Sequence, residues 1–506
     1  MLCASFKRVI KAFGLAERSG VIVLACQVDQ CHRCTMRRTR SIWAISVLIF
    51  CAALAGCRSN SQYGAPGGNN GNSSVVLAMT DFPPTNVSVL SAEVTLTGAT
   101  LTPGNVVLFS GSTTVELTRL QTDIAYIATA TNIPAGNYTS VTLTFANPSL
   151  TIENDMATTI AGCAVGSICP IVPTATPMST TIPLTAFSIA ANSTTGLLID
   201  VNLDNLLTAL LGEDFSAGTT VTPFTPAGFG APPVGAEDVV GQVGNINATS
   251  KTFTLTNVTG TYSLRVDNTS TFFFSAGGCL TSGFACLQNN QILGVDIGIQ
   301  SDGSLLARTI LFEDADSSDT EVEGMITGTN AASQQFDIVI QTMSAPVSGL
   351  SIGQHITVQY STPPQTAFDV DLVHADNLQV STAGFLFAAP ADLAVGQQVS
   401  VRRNSTSAQG QIKADRVRLR STRVTATIQR GLPNIFLSSL PSLFSGHGVT
   451  GITAQTSLSP PTIYYEVGTT INSSNILIGE LVSVRGPLFN VSGGRTLVAT
   501  KVVVKP

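Results

Sequence analysis

The sequence predicts an all-β protein: an N-terminal β-sandwich followed by tandem small β-barrel repeats of an OB-like type. Three observations carry this prediction. Residues 75–204 alternate apolar and polar positions with period two, as in Val94-Thr-Leu96-Thr, Val115-Glu-Leu117 and Val141-Thr-Leu143-Thr-Phe145. That is the pattern of half-buried antiparallel strands. The second half repeats two short signatures, each the length of one strand. Finally, charged residues are only 11% of the chain, against about 25% in a typical soluble domain. No series of apolar runs of about 20 residues accounts for that scarcity, so a polytopic helical membrane protein is excluded. The surface must therefore be polar through hydroxyls and amides.

The N-terminus has the layout of a secretory signal. Met36-Arg37-Arg38-Thr39-Arg40 is a basic region, Ser41 to Leu54 an apolar core, and Leu54-Ala55-Gly56-Cys57 closes it. The last four residues resemble the bacterial lipobox, which implies a lipid on Cys57 as the first mature residue. Residues 36–56 are thus expected to be a lipoprotein signal peptide. Residues 1–35 are expected to be absent from the mature protein, with translation starting at Met36 or the segment lost with the signal. Cys31-His32-Arg33-Cys34 lies in that segment and lacks the second Cys/His pair of a zinc site. Residues 57–74 read as the lipidated Cys and a Gly/Asn/Ser-rich tether with a reach of roughly 20–25 Å.

Residues 1–56 hold 8 of the 25 Lys/Arg and 2 of the 31 Asp/Glu, which leaves 17 and 29 and a net charge of −12. Such a chain lacks the basic footprint of a nucleic-acid binder. Apart from Cys57, four cysteines follow as two close pairs, Cys163/Cys169 and Cys279/Cys286. Local pairs in an exported chain are expected to form disulfides.

Residues 75–205 are expected to form the sandwich from about eight strands, and Asp204 to Leu211 one short helix. The Gly-, Pro-, Thr- and Ala-rich segment 206–236 reads as a linker. Val76-Leu-Ala-Met-Thr-Asp81-Phe-Pro83, Ile133-Pro-Ala-Gly136-Asn-Tyr138-Thr-Ser-Val141 and Ile182-Pro-Leu with Phe187-Ser-Ile189 resemble landmarks of the bacterial domain-of-unknown-function family 4382. This family usually has Ala where Phe82 stands. The resemblance implies an exported β-sandwich and no known chemistry.

Beyond residue 236, G-x-x-[IV]-x-[IV] occurs at Gly294, Gly353, Gly396 and Gly479. A-x-x-[IV]-x-[LFV] follows each, at Ala307, Ala367, Ala414 and Ala499. Read as hairpins with loops of varying length, these predict four units at 237–320, 321–376, 377–422 and 423–506, the third degenerate. Their unequal spacing excludes a tight solenoid. The signatures resemble domain-of-unknown-function family 5666, an exported bacterial module.

Motif-like stretches in the body read as structure. Gly349-Leu-Ser351-Ile-Gly353 matches G-x-S-x-G but precedes a strand in an all-β repeat, not the strand-to-helix elbow that an esterase needs. Gly446-His-Gly-Val-Thr-Gly451 matches G-x-G-x-x-G without a dinucleotide-binding context. His355, His374 and His447 show no metal-ligand spacing. The run Glu313 to Glu323 has six acids in eleven residues. It is expected to be a solvated linker, with Asp314, Asp316, Asp319 and Glu321 the ligands if it held calcium. Arg416, Arg418 and Arg420 alternate on one strand and offer an anion-binding face for polysaccharide, headgroups or an acidic partner, or pair with the acidic run.

No cofactor motif is found. These features point to a non-enzymatic, lipid-anchored protein of the bacterial cell envelope, exported to the outer membrane or periplasmic face. Its partners would be the membrane through Cys57 and an envelope protein or anionic polysaccharide. The alternative is an envelope hydrolase acting on polysaccharide, which needs paired carboxylates in a cleft.

Overall fold

The computed structural model of the chain describes residues 73–83, 88–174, 178–207, 211–226, 235–273, 283–314, 320–371, 382, 384–406, 411–457, 461–466, 469–491 and 494–505. Most of it is strand. Among the described residues, no helix is long and apolar enough to cross a membrane.

The first module is a two-sheet sandwich. Its strands are β1 (Ser73–Phe82), β2 (Ser88–Thr102), β3 (Val106–Glu116), β4 (Ala125–Ile133), β5 (Gly136–Glu153), β6 (Ile168–Ile171), β7 (Ser179–Ile189), β8 (Thr194–Asn202) and β9 (Thr219–Phe224). One sheet has the order β4-β1-β8-β9, and the other β3-β2-β5-β6 with β7 also on β5. The alternation seen in the sequence sorts side chains between a core and an outer face. Leu96, Leu143, Phe145, Leu197 and Ile199 point into one core, each contributing about 1.5–3 kcal/mol by leaving water. The hydroxyls of β2, β5 and β7 face outward and pair across strands, as Thr142 does with Thr181 at 2.9 Å.

Two expectations change here. The strands are not all antiparallel, because β1 and β8 run parallel. The expected linker 206–236 is also partly structured. After α1 (Leu203–Leu206), α2 (Phe215–Gly218) stacks Phe215 on Phe145 with ring centroids 4.3 Å apart, and β9 pairs antiparallel with β8. Its Thr, Pro and Gly content conceals a six-residue strand that continues the sheet.

Three barrels follow. The first is built from β10 (Gly235–Asn247), β11 (Thr252–Thr256), β12 (Thr261–Arg265), β13 (Thr271–Phe273), β14 (Ile292–Ile299) and β15 (Leu305–Asp314). The second uses β16 (Glu321–Asn330), β17 (Gln335–Met343), β18 (His355–Gln359), β19 (Ala367–Val370), β20 (Gln398–Thr406) and β21 (Gln411–Leu419). The third uses β22 (Ser421–Arg430), β23 (Asn434–Ser438), β24 (Ile452–Thr456), β25 (Ile463–Glu466), β26 (Thr469–Thr470), β27 (Leu481–Val491), β28 (Gly494–Ala499) and β29 (Lys501–Val504).

The rings share one connectivity. A three-strand meander is closed by a parallel pair, β12–β15, β18–β21 or β24–β28, and the last antiparallel strand returns to the first. This is the five-stranded order of an OB-type barrel. A short extra strand, β13, β19 or β25, adds parallel to the final strand. In the third barrel that final strand is broken at Thr500, so β28 closes the ring and β29 receives β25.

The four predicted units therefore become three barrels. Segments 321–376 and 377–422 are two parts of one ring, because β16–β19 find their closing partners only in β20 and β21. The Gly353 signature marks the third strand of that ring, whereas the Gly396 signature marks its next-to-last ring strand.

One position shows how tightly the rings are drawn. At Gly324 on β16 a Cβ would lie 2.2 Å from the Val339 carbonyl oxygen of β17. Gly324→Ala is expected to lower stability by about 1–3 kcal/mol through overpacking. Denaturant unfolding followed by far-UV circular dichroism measures this, and an unchanged midpoint would contradict the packing.

Candidate functional site

The structural positions of the sequence-predicted residues differ sharply. Cys57, Cys279, Asp316, Asp319 and His374 lie outside the described residues. Cys163 and Cys169 are joined by a disulfide beside the β5–β6 pair. Cys286 sits buried in the first barrel's core cluster. Ser351 lies in the turn before β18, where its amide donates to Gln354 Oε1. The neighbouring Gly353 is a docking point: Thr151 of the sandwich donates its hydroxyl to the Gly353 carbonyl at 2.5 Å. His447 Nδ1 meets the Leu443 carbonyl at 2.8 Å, within the turn that follows α3 (Ser442–Ser445).

Arg416, Arg418 and Arg420 do not form an open cationic face. Val417 and Leu419 point into the second barrel's core, and the arginines emerge from its other side into carboxylates. Glu313 on β15 of the first barrel receives all three, at 3.0, 2.6 and 3.1 Å. Arg416 also pairs with Glu321, and Arg418 with Asp369 at 2.7 Å. Arg420 pairs with Glu323 at 2.7 Å and with Asp371. The expected anion site is therefore already filled by the protein's own acids. The same geometry removes the calcium reading from its two described residues. Asp314 faces Arg402 at 2.8 Å, and Glu321 faces Arg416 and the Ser400 hydroxyl. Among the described residues, no group of three or more metal-ligating side chains could hold a metal ion.

The pairing continues into a junction of all four modules, which sequence reasoning missed. Arg423 on β22 pairs with Asp123 of the sandwich. Arg485 on β27 pairs with Glu237 and, at 2.6 Å, with Asp238, both on β10 of the first barrel. Lys501 on β29 reaches Asp123 at 3.2 Å and Glu237. Arg119, in the turn after β3, bonds Glu323 at 2.5 Å and the Asp238 carbonyl at 2.9 Å. These groups are inside: Arg485 is 0% exposed, Lys501 1% and Arg420 2%. Gln341 adds uncharged links, donating to the Leu90 carbonyl at 2.8 Å and to Thr118 Oγ1 at 3.0 Å.

The electrostatics follow from burial opposed by pairing. Burial alone would raise Asp123, but Arg423, Arg485 and Lys501 outweigh it and hold its carboxyl well below the usual range. Burial is likewise overcome at Glu323 by Arg420 and Arg119. Asp296 forms no ion pair among the described residues. Burial, then the adjacent Asp238, pushes it well above the ordinary value, and Thr309 and the Asp238 amide bond it. Apart from Asp296, eight carboxylates (Asp123, Glu237, Asp238, Glu313, Glu321, Glu323, Asp369, Asp371) face seven cations (Arg119, Arg416, Arg418, Arg420, Arg423, Arg485, Lys501). A second buried group ties the chain end to the sandwich: Lys505 Nζ donates to the Asp81 carbonyl at 3.3 Å and lies over the Phe82 ring.

Beside the junction is a cavity of about 80 Å³, lined by Thr113, Glu116, Arg119, Asp238, Tyr262 and Gln341 among others. Glu93 and Glu116 stand opposite each other on β2 and β3. Glu116 accepts from the Ala92 and Arg119 amides and from the Thr118 hydroxyl, so its oxygens are occupied in capping the turn. Burial, with Glu116 alongside, raises Glu93 to about 7.

Two outcomes follow from these charges. Arg420→Met leaves Glu323 and Asp371 buried without their principal partner and is expected to destabilise by about 3–5 kcal/mol, read from the denaturant midpoint. A loss below about 1 kcal/mol would mean that the pairing is solvated in solution. For Glu93, the folded value lies above the unfolded value of about 4.3. Its contribution is thus intact below that value and is lost as pH rises towards about 7. Glu93→Gln is expected to raise the melting temperature relative to the unsubstituted protein at pH 8 and to leave it nearly unchanged at pH 4. An equal shift at both pH values would show that Glu93 titrates normally.

Comparison with known proteins gives one match. Residues 72–215 match the sequence profile of the family described as "Domain of unknown function (DUF4382)". Neither a curated protein nor a solved structure matches the chain. The matched segment covers most of the sandwich, enters the segment read as a linker and stops short of β9 and the barrels. Residues 72–215 are thus a DUF4382 domain, from which the structured chain runs on into three barrels.

Proposed function

We propose that this is a non-enzymatic, lipid-anchored protein of the bacterial cell envelope, held to the membrane through Cys57. Its four β-modules would act as one rigid binding or structural body. The observation that carries the reading is the placement of charge. Seven of the 17 cations that follow residue 56 lie in the inter-module junction, where each faces carboxylates of the chain itself. A body locked in this way suits presentation or spacing. The L-A-G-C motif and the tether favour the anchor. The barrels, with their repeated signatures, fit exported modules of the kind in family 5666. With the arginine strand internal, the partner favoured by this reading is an envelope protein rather than an anionic polysaccharide.

Fractionation and turnover test it together. The unsubstituted protein is expected in the membrane fraction with a lipid-modified Cys57, and Cys57→Ser in the soluble exported fraction. Purified protein is expected to release no reducing ends from envelope polysaccharides. Release abolished by Glu93→Gln or Glu116→Gln would replace this reading with that of a hydrolase. Membrane retention of Cys57→Ser would remove the anchor.

A further inference from the structure

Each barrel enters its next-to-last ring strand through the same turn. Before β14, β20 and β27 the chain runs Leu287-Gln-Asn-Asn-Gln291, Leu393-Ala-Val-Gly-Gln397 and Ile476-Leu-Ile-Gly-Glu480. In each, the first residue is buried in the core of its own barrel. The amide of the second residue donates to the side chain of the fifth, at 2.9, 2.6 and 2.7 Å. The fourth residue, Asn290, Gly396 or Gly479, is left-handed. Its amide donates back to the first strand of the barrel, at Val243, Ile326 or Ile428. The backbone of the turn is thus constant. Its second and third residues form a tip that differs in chemistry and in surroundings.

On the first barrel the tip is Gln288-Asn289, and it is exposed. On the second it is Ala394-Val395, and it is docked. Val395 is 7% exposed and packs with Leu90 of the sandwich and Leu443 on α3 of the third barrel. Beside it, a Cβ at Gly396 would lie 2.1 Å from the Phe444 ring, and Gln397 Nε2 donates to the Leu488 carbonyl of β27 at 2.9 Å. A polar tip faces water, and an apolar tip enters a notch. The third barrel breaks this rule. Its tip is Leu477-Ile478, 60% and 69% exposed, and nothing lies within 4 Å of the Cβ position at Gly479. The turn after the first strand changes in the same direction. It lies at the same end of the barrel, because Thr427 of β22 pairs with Leu481 of β27. That turn reads Ala-Thr-Ser-Lys at 248–251 and Ala-Ala-Ser-Gln at 331–334, but Gly431-Leu432-Pro433 in the third barrel, with Leu432 40% exposed.

We propose that this end of the third barrel is a docking face anchored by Leu477-Ile478, and that its partner is a separate protein carrying a barrel of the same type with an open notch. The proposal rests on the reading of the chain as a binding body with a protein partner. The second barrel shows what such a turn fits: a Leu-Phe pair on a short helix, with a strand carbonyl alongside. The third barrel presents the same turn with larger aliphatic residues at its tip. A second copy cannot receive it, because Val395 and Gly396 already fill that notch in every copy. The net −12 from Cys57 onward opposes the approach of a second copy as well. Exposed Asn472, Ser474 and Asn475 surround the tip with uncharged polar groups, the arrangement of an apolar anchor inside a polar rim.

Photo-cross-linking in the cells that make the protein tests the proposal. In the full chain, p-benzoylphenylalanine replaces Ile478, or Asn289 on the first barrel as the control. Irradiation is expected to give an adduct with another protein from position 478 and none from position 289. The cross-linked peptide is expected to map to an apolar notch on a β-barrel. The purified partner is then expected to bind the parent, and Leu477→Ser/Ile478→Ser to weaken binding by about tenfold or more. Both positions are exposed, so far-UV circular dichroism of this variant should match the parent. No adduct overturns the proposal, as does an adduct with lipid, with a second copy or with a protein lacking such a notch. An equal adduct from position 289, or binding indifferent to the two serines, overturns it too. Fractionation of the same cells separates the two readings. Cys57-dependent membrane retention without an adduct overturns the docking face alone, and an adduct without that retention overturns the anchor alone.

Discussion

The structure depends on charges removed from water and shared between modules. Taking a guanidinium and a carboxylate inside costs several kcal/mol per ion, and only close geometry with further hydrogen bonds recovers it. Arg420 meets that condition through Glu313, Glu323 and Asp371; Arg485 faces Glu237 and Asp238, but burial outweighs its carboxylates and lowers its value. These partners come from different modules. The first barrel supplies Glu237, Asp238 and Glu313, and the cations that meet them come from the second and third barrels. Separating the first barrel from the second or third, or the sandwich from the second or third, would strand charges on both sides of the break, so the junction fixes which module meets which. The final strands of the second and third barrels even present a cation at the same step, Arg416 two residues after Ala414 and Lys501 two after Ala499. One barrel design has met two different acidic surfaces with the same outward position.

Strands were legible in the sequence because a period of two is local. Val141-Thr-Leu143-Thr-Phe145 shows both faces of β5 within five residues. Ring closure is not local. Thr357 pairs with Gln411 across a parallel contact, and Ile452 with Arg495, and neither pairing leaves a mark on the hydropathy of its own strand. The G-x-x-[IV] signature records a tight entry into a strand, and a five-stranded ring has more than one such entry. Gly353 and Gly396 therefore read as signatures of separate units, although β18 and β20 belong to one ring. Strand β9 escaped for the opposite reason: Thr219-Thr-Val-Thr-Pro-Phe224 has too few apolar positions to stand out in a Gly- and Pro-rich neighbourhood.

The junction was half visible. The acidic run and the arginine strand are each conspicuous, and pairing between them was one of the two readings of that strand, but 103 residues separate Glu313 from Arg416. The other members were hidden by being single. Asp123, Arg485 and Lys501 look like ordinary surface charges. The usable signal was their context: Arg485 follows Val482-Ser-Val484 and precedes Gly486-Pro-Leu488, and Lys501 is followed by Val502-Val-Val504. In a chain with 11% charged residues, a lone charge inside an apolar strand has few exposed neighbours of either sign and is a candidate for an internal partner.

The scarcity of surface charge and the density of buried charge are connected. Cross-strand hydroxyl pairs such as Thr95 with Thr114 at 3.0 Å and Thr256 with Thr261 at 3.0 Å occupy outer positions where many proteins place Lys and Glu. Such pairs do not respond to ionic strength, and buried ion pairs are screened far less than exposed ones. Salt therefore has little purchase on either the exterior or the junction. Acid, unlike salt, does act on the junction, because Asp123 and Glu323 hold their cations only while ionised. Their values lie below the ordinary carboxylate range, so their contribution stands above about pH 4 and is lost as pH falls through those lower values. An exterior of hydroxyls around an interior of matched charge gives a body whose modules stay locked across wide changes in salt.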